Sequence, residues 1–246
     1  MSTVVESQEM REGGWQDEAT ALVRRVGPPM AVGIAVLTAL SAGVGLLVIH
    51  GLDGAVDDLD LDVARDLVAG RTATIDGLTS AATVLADTVT VSGLWIGSMA
   101  VAAWRTRKLT IPVFLLAAIG GEKLTYLFTS IIIGRPRPPV EPLGHVFATN
   151  SFPSGHVGSA IVLYGGIGVA ILWHDAAARG RWRPAPVWIA LGAVVTAITL
   201  LVAYSRLYRG HHFLSDVVWG AVLGIVWLAL AWRVVLRSPT GPGACT

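Results

Sequence analysis

Residues 26–52 read VGPPMAVGIAVLTALSAGVGLLVIHGL, a run of 27 residues without a charged side chain. A helix needs about 20 mostly apolar residues to cross the hydrocarbon core of a bilayer. The apolar core of a signal peptide is only about 7–15 residues long and follows a basic segment. The segment before this run is acidic and polar for most of its length, so we predict an uncleaved first membrane span.

Five further apolar stretches follow at short intervals. Each is long enough for a helical span, and the loops between them are short. The six predicted spans are 29–51, 79–104, 109–133, 156–174, 185–204 and 214–236. We therefore expect an all-α, polytopic membrane protein with a cytoplasmic N-terminal segment (1–28), one six-helix membrane domain (29–236) and a cytoplasmic tail (237–246).

The composition supports this class and excludes others. Hydrophobic residues make up 53% of the chain, charged residues 14%, and the mean hydropathy is +0.63. A soluble domain of this size could not bury so much apolar surface, and a disordered chain needs the opposite composition. The net charge of +1 gives no basic footprint for a nucleic-acid partner. The single cysteine excludes an internal disulfide and a cysteine-based zinc site.

The distribution of basic residues predicts the orientation. With the N-terminus in the cytoplasm, 11 of the 18 lysines and arginines lie on the cytoplasmic side. Both termini are then cytoplasmic. The arginines near positions 135 and 206 oppose this bias, and such an exception suggests a function for them.

Polar motifs stand at the predicted outer ends of spans three to six. Because consecutive spans alternate in direction, these ends share one side of the membrane and can form one pocket. The motifs are Gly134-Arg135-Pro136-Arg137-Pro138, Phe152-Pro153-Ser154-Gly155-His156, Tyr204-Ser205-Arg206 and His212-Phe213-Leu214-Ser215-Asp216.

The residue types in these motifs suit a phosphoryl group. Arginine binds phosphate oxygens through two parallel hydrogen bonds. Ser154 and Gly155 at a helix start offer free backbone N–H groups to an anion. His212 and Asp216 are at i and i+4, so the carboxylate can orient the imidazole as a nucleophile. His156 comes from another helix and can act as a general acid.

These motifs resemble those of the PAP2 family, the type 2 phosphatidic acid phosphatases. Pro153-Ser154-Gly155-His156 is similar to the second motif of the family, and Ser205-Arg206-x5-His212-x3-Asp216 to the third. Arg137-Pro138 resembles the end of the first motif, Lys-x6-Arg-Pro. The resemblance covers roughly residues 80–236 and includes the six-span plan.

The resemblance implies hydrolysis of a phosphate ester without a metal or other cofactor. His212 would attack phosphorus to form a phosphohistidine, and Asp216 would orient it. His156 would protonate the leaving oxygen and then activate water. The phosphoryl oxygens would be held by Arg137, Arg206 and the amides of Ser154 and Gly155.

The chain departs from the family pattern at one position. The lysine of the first motif should lie seven residues before Arg137, where the sequence has Ser130. Arg135 and Arg209 are candidate substitutes, with Arg135 expected to bind the substrate phosphate. The alternative is that both arginines bind lipid headgroups at the membrane interface.

Three charged residues fall inside predicted spans, where a charge is costly and usually has a partner. Asp87 and Lys123 lie at similar predicted depths in neighbouring spans, so we predict an ion pair between them. Glu122 should then face spans four to six. The alternative is that Lys123 is the lysine of the first motif in a shifted register.

The loop after the first span is acidic. Asp58-x-Asp60-x-Asp62 lacks the glycine and closing glutamate of a calcium loop, which favours a solvated acidic turn. Leu59, Val63 and Leu67, at four-residue spacing, suggest a short helix over the pocket. His211 is expected to support the site or to be solvated, because its i+4 neighbour is a serine.

The sequence thus favours an integral-membrane lipid phosphatase in the plasma membrane, with an extracytoplasmic site. Its partners would be membrane lipids and a lipid phosphate substrate: a polyprenyl diphosphate, phosphatidate or phosphatidylglycerophosphate. By analogy with carrier recycling, a polyprenyl diphosphate is favoured. The alternative is a non-catalytic lipid-phosphate binder or transporter. The absence of a lysine at position 130 supports this alternative, and the intact His156, His212 and Asp216 oppose it.

Overall fold

The structure is a computed structural model that describes residues 2–51, 54–144 and 150–236, with side chains from residue 16 onward. The predicted tail 237–246 lies outside the described residues. All regular elements in the described part of the chain are helical. In chain order they are α1 (Ser2–His50), α2 (Ala55–Ala69), α3 (Ala73–Val84), α4 (Thr88–Thr106), α5 (Thr110–Ile133), α6 (Gly155–Ala160), a π-helical turn (Ile161–Gly165), α7 (Gly166–Arg179), α8 (Ala185–Tyr208), α9 (Leu214–Ala231) and a final π-helical turn (Trp232–Leu236).

The predicted six-span architecture is confirmed, and the protein is a multi-pass membrane protein. Six helical segments of the described chain are long and apolar enough to cross a bilayer. They are Gln16–His50, Ala73–Thr106, Thr110–Ile133, Gly155–Arg179, Ala185–Tyr208 and Leu214–Leu236. The second span consists of α3 and α4, which are separated by a short turn at residues 85–87.

The first helix does not break at the predicted boundary after residue 28. It continues through Pro28 and Pro29, and its part before these prolines packs against the bundle. Leu22 and Val26 are buried. The Glu18 carboxylate accepts a hydrogen bond from the Leu109 backbone N–H at 3.0 Å, at the start of α5. The first helix is therefore anchored to the core before it enters the predicted span.

The centre of the bundle is α5, which packs against α1, α4 and α9. Its small residues allow a large side chain of α9 to approach closely. A Cβ atom at Gly121 would lie 2.3 Å from the ring of Trp227, so only glycine fits there. Trp227 is fully buried and donates from Nε1 to Thr125 Oγ1 at 3.1 Å. This packing fixes the position of α9 relative to α5.

The polar motifs converge at one end of the bundle, as their sequence positions predicted. Gly134 adopts the left-handed conformation (φ 63°) that ends α5 and turns the chain into the loop before α6. This loop is joined to the end of α8 by a hydrogen bond from Leu143 N–H to the Arg209 carbonyl at 3.0 Å. The predicted helix over this end is also present, as α2.

Candidate active site

A cavity of about 350 Å³ lies at this end of the bundle, between α4, α5 and the start of α6. Four of the residues predicted for the site line it, together with a lysine, a tyrosine and an apolar wall. The lining residues are Ala86, Thr88, Val91, Ser92, Trp95, Ile119, Lys123, Tyr126, Arg137, Gly155, His156 and His212. The cavity therefore has a basic end and an apolar end.

The start of α6 is held against the first turn of α9. A Cβ atom at Gly220 would lie 2.5 Å from the Ser154 carbonyl oxygen, so glycine is required for this approach. The Ser154 N–H donates to the Asp216 carbonyl at 2.9 Å. This amide is thus occupied, contrary to the expectation that it binds phosphate. The N–H of Gly155, which begins α6, has no partner among the described residues, and neither does the buried Ser154 Oγ.

His212 lies just before α9 and not within it, because the helix begins at Leu214. The predicted i,i+4 geometry on one helix face is therefore wrong, although the two side chains still meet. His212 Nδ1 lies 3.6 Å from Asp216 Oδ2 and donates to the Ser151 carbonyl at 2.7 Å. This bond places the proton on Nδ1 and leaves Nε2 with a free lone pair.

Burial controls the protonation of His212. Only 4% of its side chain is exposed, and this desolvation lowers its pKa, while the hydrogen bond and charge of Asp216 oppose the shift. Arg206 and Arg137 lower the pKa further. The neutral form required of a nucleophile is therefore favoured.

Asp216 is fully buried, and both of its oxygens are engaged. Oδ2 accepts from the Phe213 backbone N–H at 2.8 Å, and Oδ1 accepts from Arg135 Nη1 at 2.8 Å. The first bond caps the helix that follows His212. Asp216 thus fixes the backbone on which His212 is carried as well as contacting its ring.

Arg135 does not line the cavity, contrary to the prediction that it binds the substrate phosphate. It is 4% exposed, and its two terminal nitrogens donate to Asp216, Ser215, Asp57 and Asp60. Burial alone would lower the pKa of Arg135, but the carboxylates of Asp216 and Asp60 outweigh burial and raise it. The prediction of a solvated acidic turn is also wrong for Asp60, which is buried within α2.

His156 faces His212 across the cavity. The two ring centroids are 6.5 Å apart, in an edge-on arrangement. Reacting atoms approach to about 3–3.5 Å, so this separation leaves room for a phosphoryl group between the rings. The Nε2 atom of His156 lies 3.7 Å from Asp87 Oδ1.

Arg206 and His211 contact each other next to Arg137 and are not among the residues that line the cavity. Arg206 donates to Thr83 Oγ1 at 3.1 Å and contacts His211 Nδ1, and its buried Nε has no partner among the described residues. Arg137 Nη1 donates to the His211 carbonyl. His211 Nε2 donates to the Leu143 carbonyl at 3.0 Å. His211 therefore supports both arginines, one of the two roles expected for it.

His211 is a neutral imidazole at neutral pH. Burial and then the charge of Arg206 lower its pKa to about 3, although its bond to Leu143 opposes this. A neutral ring with its proton on Nε2 can accept at Nδ1 from Arg206. The ring thus orients the guanidinium without adding a positive charge.

Lys123 lines the cavity, although it stands seven residues before Ser130, the position of the first-motif lysine. Its ammonium lines the cavity, contacts Ser159 Oγ and donates to the Gly155 carbonyl at 3.3 Å. Ser130 is buried, and its carbonyl accepts from the Asn150 side chain. Lys123, and not Ser130, is therefore among the residues that line the cavity, which favours the alternative of a shifted lysine register.

The predicted Asp87–Lys123 ion pair is wrong: within the described residues, the charged partner of Lys123 is Glu122, at 3.6 Å, and that of Asp87 is His156. The depth estimate failed because span two breaks at residues 85–87, which places Asp87 at the start of α4. Glu122 does face span four, as expected, since a Cβ atom at Gly158 would lie 2.4 Å from its Oε1. Arg209 does not line the cavity and donates to the Asp76 carbonyl at 3.5 Å.

Comparison with known proteins gives consistent matches. The family described as the PAP2 superfamily matches residues 111–239. Phosphatidylglycerophosphatase B of Bacillus subtilis (strain 168) is 32% identical over 120 residues, which are 49% of this chain and 56% of that protein. The match therefore covers only about half the length of this curated relative.

Two crystal structures share the fold. The transmembrane PAP2-type phosphatidylglycerolphosphate phosphatase from Bacillus subtilis aligns with a TM-score of 0.66 and 24% identity, over 82% of this chain and 94% of that one. LpxE of Aquifex aeolicus aligns with a TM-score of 0.52 and 21% identity, over 70% of this chain and 94% of that one.

Proposed function

This chain belongs to the PAP2 superfamily, and from that premise we propose that it is a membrane phosphatase that hydrolyses the phosphate or diphosphate monoester of a lipid. The observation that carries the proposal is the two-ended cavity. Its basic end holds His156, His212, Arg137 and Lys123, and its apolar end runs along α4 and α5. A phosphate headgroup with an attached lipid tail matches both ends.

The proposed reaction has two steps. In the first, His212 Nε2 attacks phosphorus, an N–P bond forms, the bond to the leaving oxygen breaks, and His156 donates a proton to that oxygen. In the second, His156 removes a proton from water, which attacks the phosphohistidine and releases inorganic phosphate. Asp216 and the Ser151 carbonyl orient the nucleophile throughout.

The charge that develops on the phosphoryl oxygens needs donors aimed at it. We assign this role to Arg137, Arg206, Lys123 and the Gly155 amide. Arg206 Nε and the Gly155 N–H are supported by their lack of hydrogen-bond partners among the described residues. Ser154 contributes its hydroxyl, which is buried without a partner in the described part of the chain, and not its amide, which donates to the Asp216 carbonyl.

The apolar end of the cavity supports a lipid substrate. Val91 and Trp95 on α4 and Ile119 on α5 line the cavity and lie deeper in their helices than Thr88 and Lys123. The substrate would enter from the bilayer with its tail along this wall. Phosphatidate, phosphatidylglycerophosphate and polyprenyl diphosphates all present a terminal phosphate in this way.

The test is phosphate release by purified protein in lipid nanodiscs. Phosphatidate, phosphatidylglycerophosphate and a polyprenyl diphosphate are compared with glycerol 3-phosphate, which has the ester but no tail. We expect at least one lipid to be hydrolysed with a kcat/KM about 100-fold or more above that of glycerol 3-phosphate, and EDTA to leave the rate unchanged. His212→Ala should abolish release.

The outcomes separate the two candidate functions. Binding of these lipids without phosphate release by the unaltered protein would favour the non-catalytic binder. Inhibition by EDTA would contradict the metal-independent mechanism.

We also propose that the site faces the extracytoplasmic side of the plasma membrane. Basic residues concentrate at the opposite end of the bundle, as cytoplasmic ends require. In a variant without Cys245, a cysteine at Glu141 should react with an impermeant thiol reagent in whole cells, and one at Arg181 only after lysis. Both positions are exposed. The reverse labelling pattern would place the site in the cytoplasm.

A further inference from the structure

A buried charged cluster links α2 to the residues behind the nucleophile. We call it the Arg135 cluster, and its members are Arg135, Asp57, Asp60, Ser215 and Asp216. Arg135 Nη1 donates to Asp216 Oδ1 and Ser215 Oγ, each at 2.8 Å. Arg135 Nη2 donates to Asp57 Oδ1 at 2.8 Å and Asp60 Oδ2 at 2.9 Å. One guanidinium thus joins three carboxylates from two elements distant in sequence.

The burial of the cluster makes each partner necessary. The exposed fractions are 4% for the Arg135 side chain, 2% for Asp60 and 0% for Asp216. Removing one member of a buried ion group leaves an uncompensated charge, which is strongly destabilising to the local arrangement. Asp57, which is 42% exposed, is the outer member.

Asp60 also binds the N-terminus of α9 directly. Its Oδ1 accepts from the Ser215 backbone N–H at 3.0 Å, and its Oδ2 accepts from the Ser215 hydroxyl at 2.5 Å. A carboxylate at the first turn of a helix satisfies a free N–H and interacts favourably with the helix dipole. This capping group comes from another helix of the chain.

The cluster lies behind the reaction site. Neither Arg135 nor Asp60 lines the cavity, and Arg135 is stacked on the Phe213 ring, with its guanidinium carbon 4.1 Å from the ring centroid. Both residues can affect the reaction only through Asp216 and the segment that carries His212.

We propose that Arg135 and Asp60 are positioning residues, through which helix α2 holds the Asp216 carboxylate and the first turn of α9 in the arrangement that His212 requires. This inference rests on the proposed phosphatase function. It assigns α2 a role in catalysis without contact to the substrate.

The same helix supplies a matched control. Asp58 is exposed and has no partner among the described residues, whereas Asp60, two positions later, is buried. Asp60→Asn and Asp58→Asn therefore make the same chemical change on opposite faces of one helix. A general effect of charge in this loop would alter both variants.

The experiment measures kcat, KM and thermal stability for Asp60→Asn, Arg135→Gln and Asp58→Asn in nanodiscs. A misplaced catalytic group costs up to about 100-fold, so we expect kcat to fall about 10-fold for Asp60→Asn and about 100-fold for Arg135→Gln. KM should stay within about twofold in both. Asp58→Asn should match the unaltered protein. The double variant Asp60→Asn/Arg135→Gln should be no slower than Arg135→Gln alone, because the two residues act through the same contact with Asp216.

The pH profile separates positioning from a loss of folded protein. The acid limb of kcat reports the protonation of His212, which is faced by Asp216, Arg206, Arg137 and His156. Asp60→Asn removes a negative charge, so the acid limb should move to lower pH. Arg135→Gln removes a positive charge, so it should move to higher pH. Shifts of about half a pH unit in opposite directions are expected.

Each alternative result overturns a distinct claim. If the unaltered protein hydrolyses lipid phosphates and Asp60→Asn behaves as Asp58→Asn does, the positioning role is wrong. An increase in KM at constant kcat would also contradict it. If the unaltered protein releases no phosphate from the lipid panel, the proposed function itself fails. Should Arg135→Gln not fold, Asp60→Asn and its control still decide the question.

Discussion

The two histidines proposed for catalysis face the same cavity from very different surroundings. His212 is 4% exposed, and its partner Asp216 is fully buried and fully hydrogen-bonded. His156 is 18% exposed, and its partner Asp87 is 42% exposed and stands at a break in span two. The nucleophile is thus buried and held by hydrogen bonds, while the proton donor and its carboxylate partner are partly exposed.

This difference matches what each group has to do. A nucleophile gains from a fixed geometry and a fixed tautomer. A general acid that becomes a general base must exchange a proton and admit water in the same cycle. We expect substitutions at His212 and its partner Asp216 to slow the hydrolysis of every substrate by a similar factor. The effect of substitutions at His156 and its partner Asp87 should depend on the leaving group of the substrate.

The largest expected effect comes from the histidines themselves. His212→Ala and His156→Ala should each reduce turnover of a lipid phosphate by about 10³-fold or more. They should differ with an aryl phosphate, whose leaving group needs no protonation. His156→Ala should then accumulate a phosphoenzyme, because water is no longer activated, and His212→Ala should not.

The measurement is incorporation of radioactive phosphate into protein quenched in alkaline detergent, with an acid-labile, base-stable bond as the signature of phosphohistidine. Labelling of His212→Ala to the same extent would show that the nucleophile is another residue. Retention of a tenth of the original turnover by His156→Ala would contradict its role as the acid.

Lys123 is expected to have the next largest effect. Lys123→Met should lower kcat/KM about 100-fold, the typical cost of one donor to a developing oxyanion. Thermal stability should also fall, because Lys123→Met leaves Glu122, which is 1% exposed, without its charged partner. The matched control is Lys108→Met at the start of span three, outside the cavity lining. A loss of stability with unchanged kcat/KM would make Lys123 structural.

Asp87 provides a test of the difference between the surroundings of His156 and those of His212. Asp87→Asn removes the carboxylate that lies 3.7 Å from His156 Nε2 and that we expect to orient the ring toward the leaving oxygen. Hydrolysis of an alkyl lipid phosphate should fall about 10-fold, whereas hydrolysis of an aryl phosphate should change by less than about twofold. Asp216→Asn should slow both substrates by similar factors.

The control for Asp87→Asn is Asp62→Asn, a neutralisation on the exposed face of α2. Equal loss with alkyl and aryl substrates would mean that Asp87 acts on the fold and not on the proton donor.

Much of the fold and part of the site were predictable from the sequence, for a physical reason. Apolar segments long enough to cross a bilayer are expected to span it, and alternation of spans then places the motifs at one end. Gly155, His156, Arg137 and His212 do line a common cavity. These conclusions needed only hydropathy and the order of the elements.

Other features depend on packing that hydropathy does not encode. The depth of Asp87 along the predicted span did not predict the break at residues 85–87. This break brings Asp87 to His156 and separates it from Lys123. Two partners of Arg135, Asp57 and Asp60, come from α2, which is distant from Arg135 in the sequence. A local sequence pattern cannot predict contacts between such distant segments. The i,i+3 spacing of Asp57 and Asp60 was a usable signal, because it places two carboxylates on one helix face.

The smallest expected effect concerns how the stability of the folded protein depends on pH through His211. His211 is 3% exposed and has a pKa of about 3 in the folded protein, against an ordinary value of 6.5. Since the folded state binds this proton less tightly than the unfolded state, stability is complete above pH 6.5 and is lost as the pH falls toward 3. Between pH 8 and pH 6 the loss from His211 alone should be about 1 kcal/mol.

His211→Asn keeps an acceptor for Arg206 but cannot titrate, so its unfolding temperature should fall less than that of the unaltered protein over this range. The comparison is made in one detergent at matched ionic strength, with exposed His174→Asn as the control. If His211→Asn and the unaltered protein lose stability in parallel, the proton uptake that lowers stability occurs at another group. The stability of the folded protein then does not depend on a neutral His211.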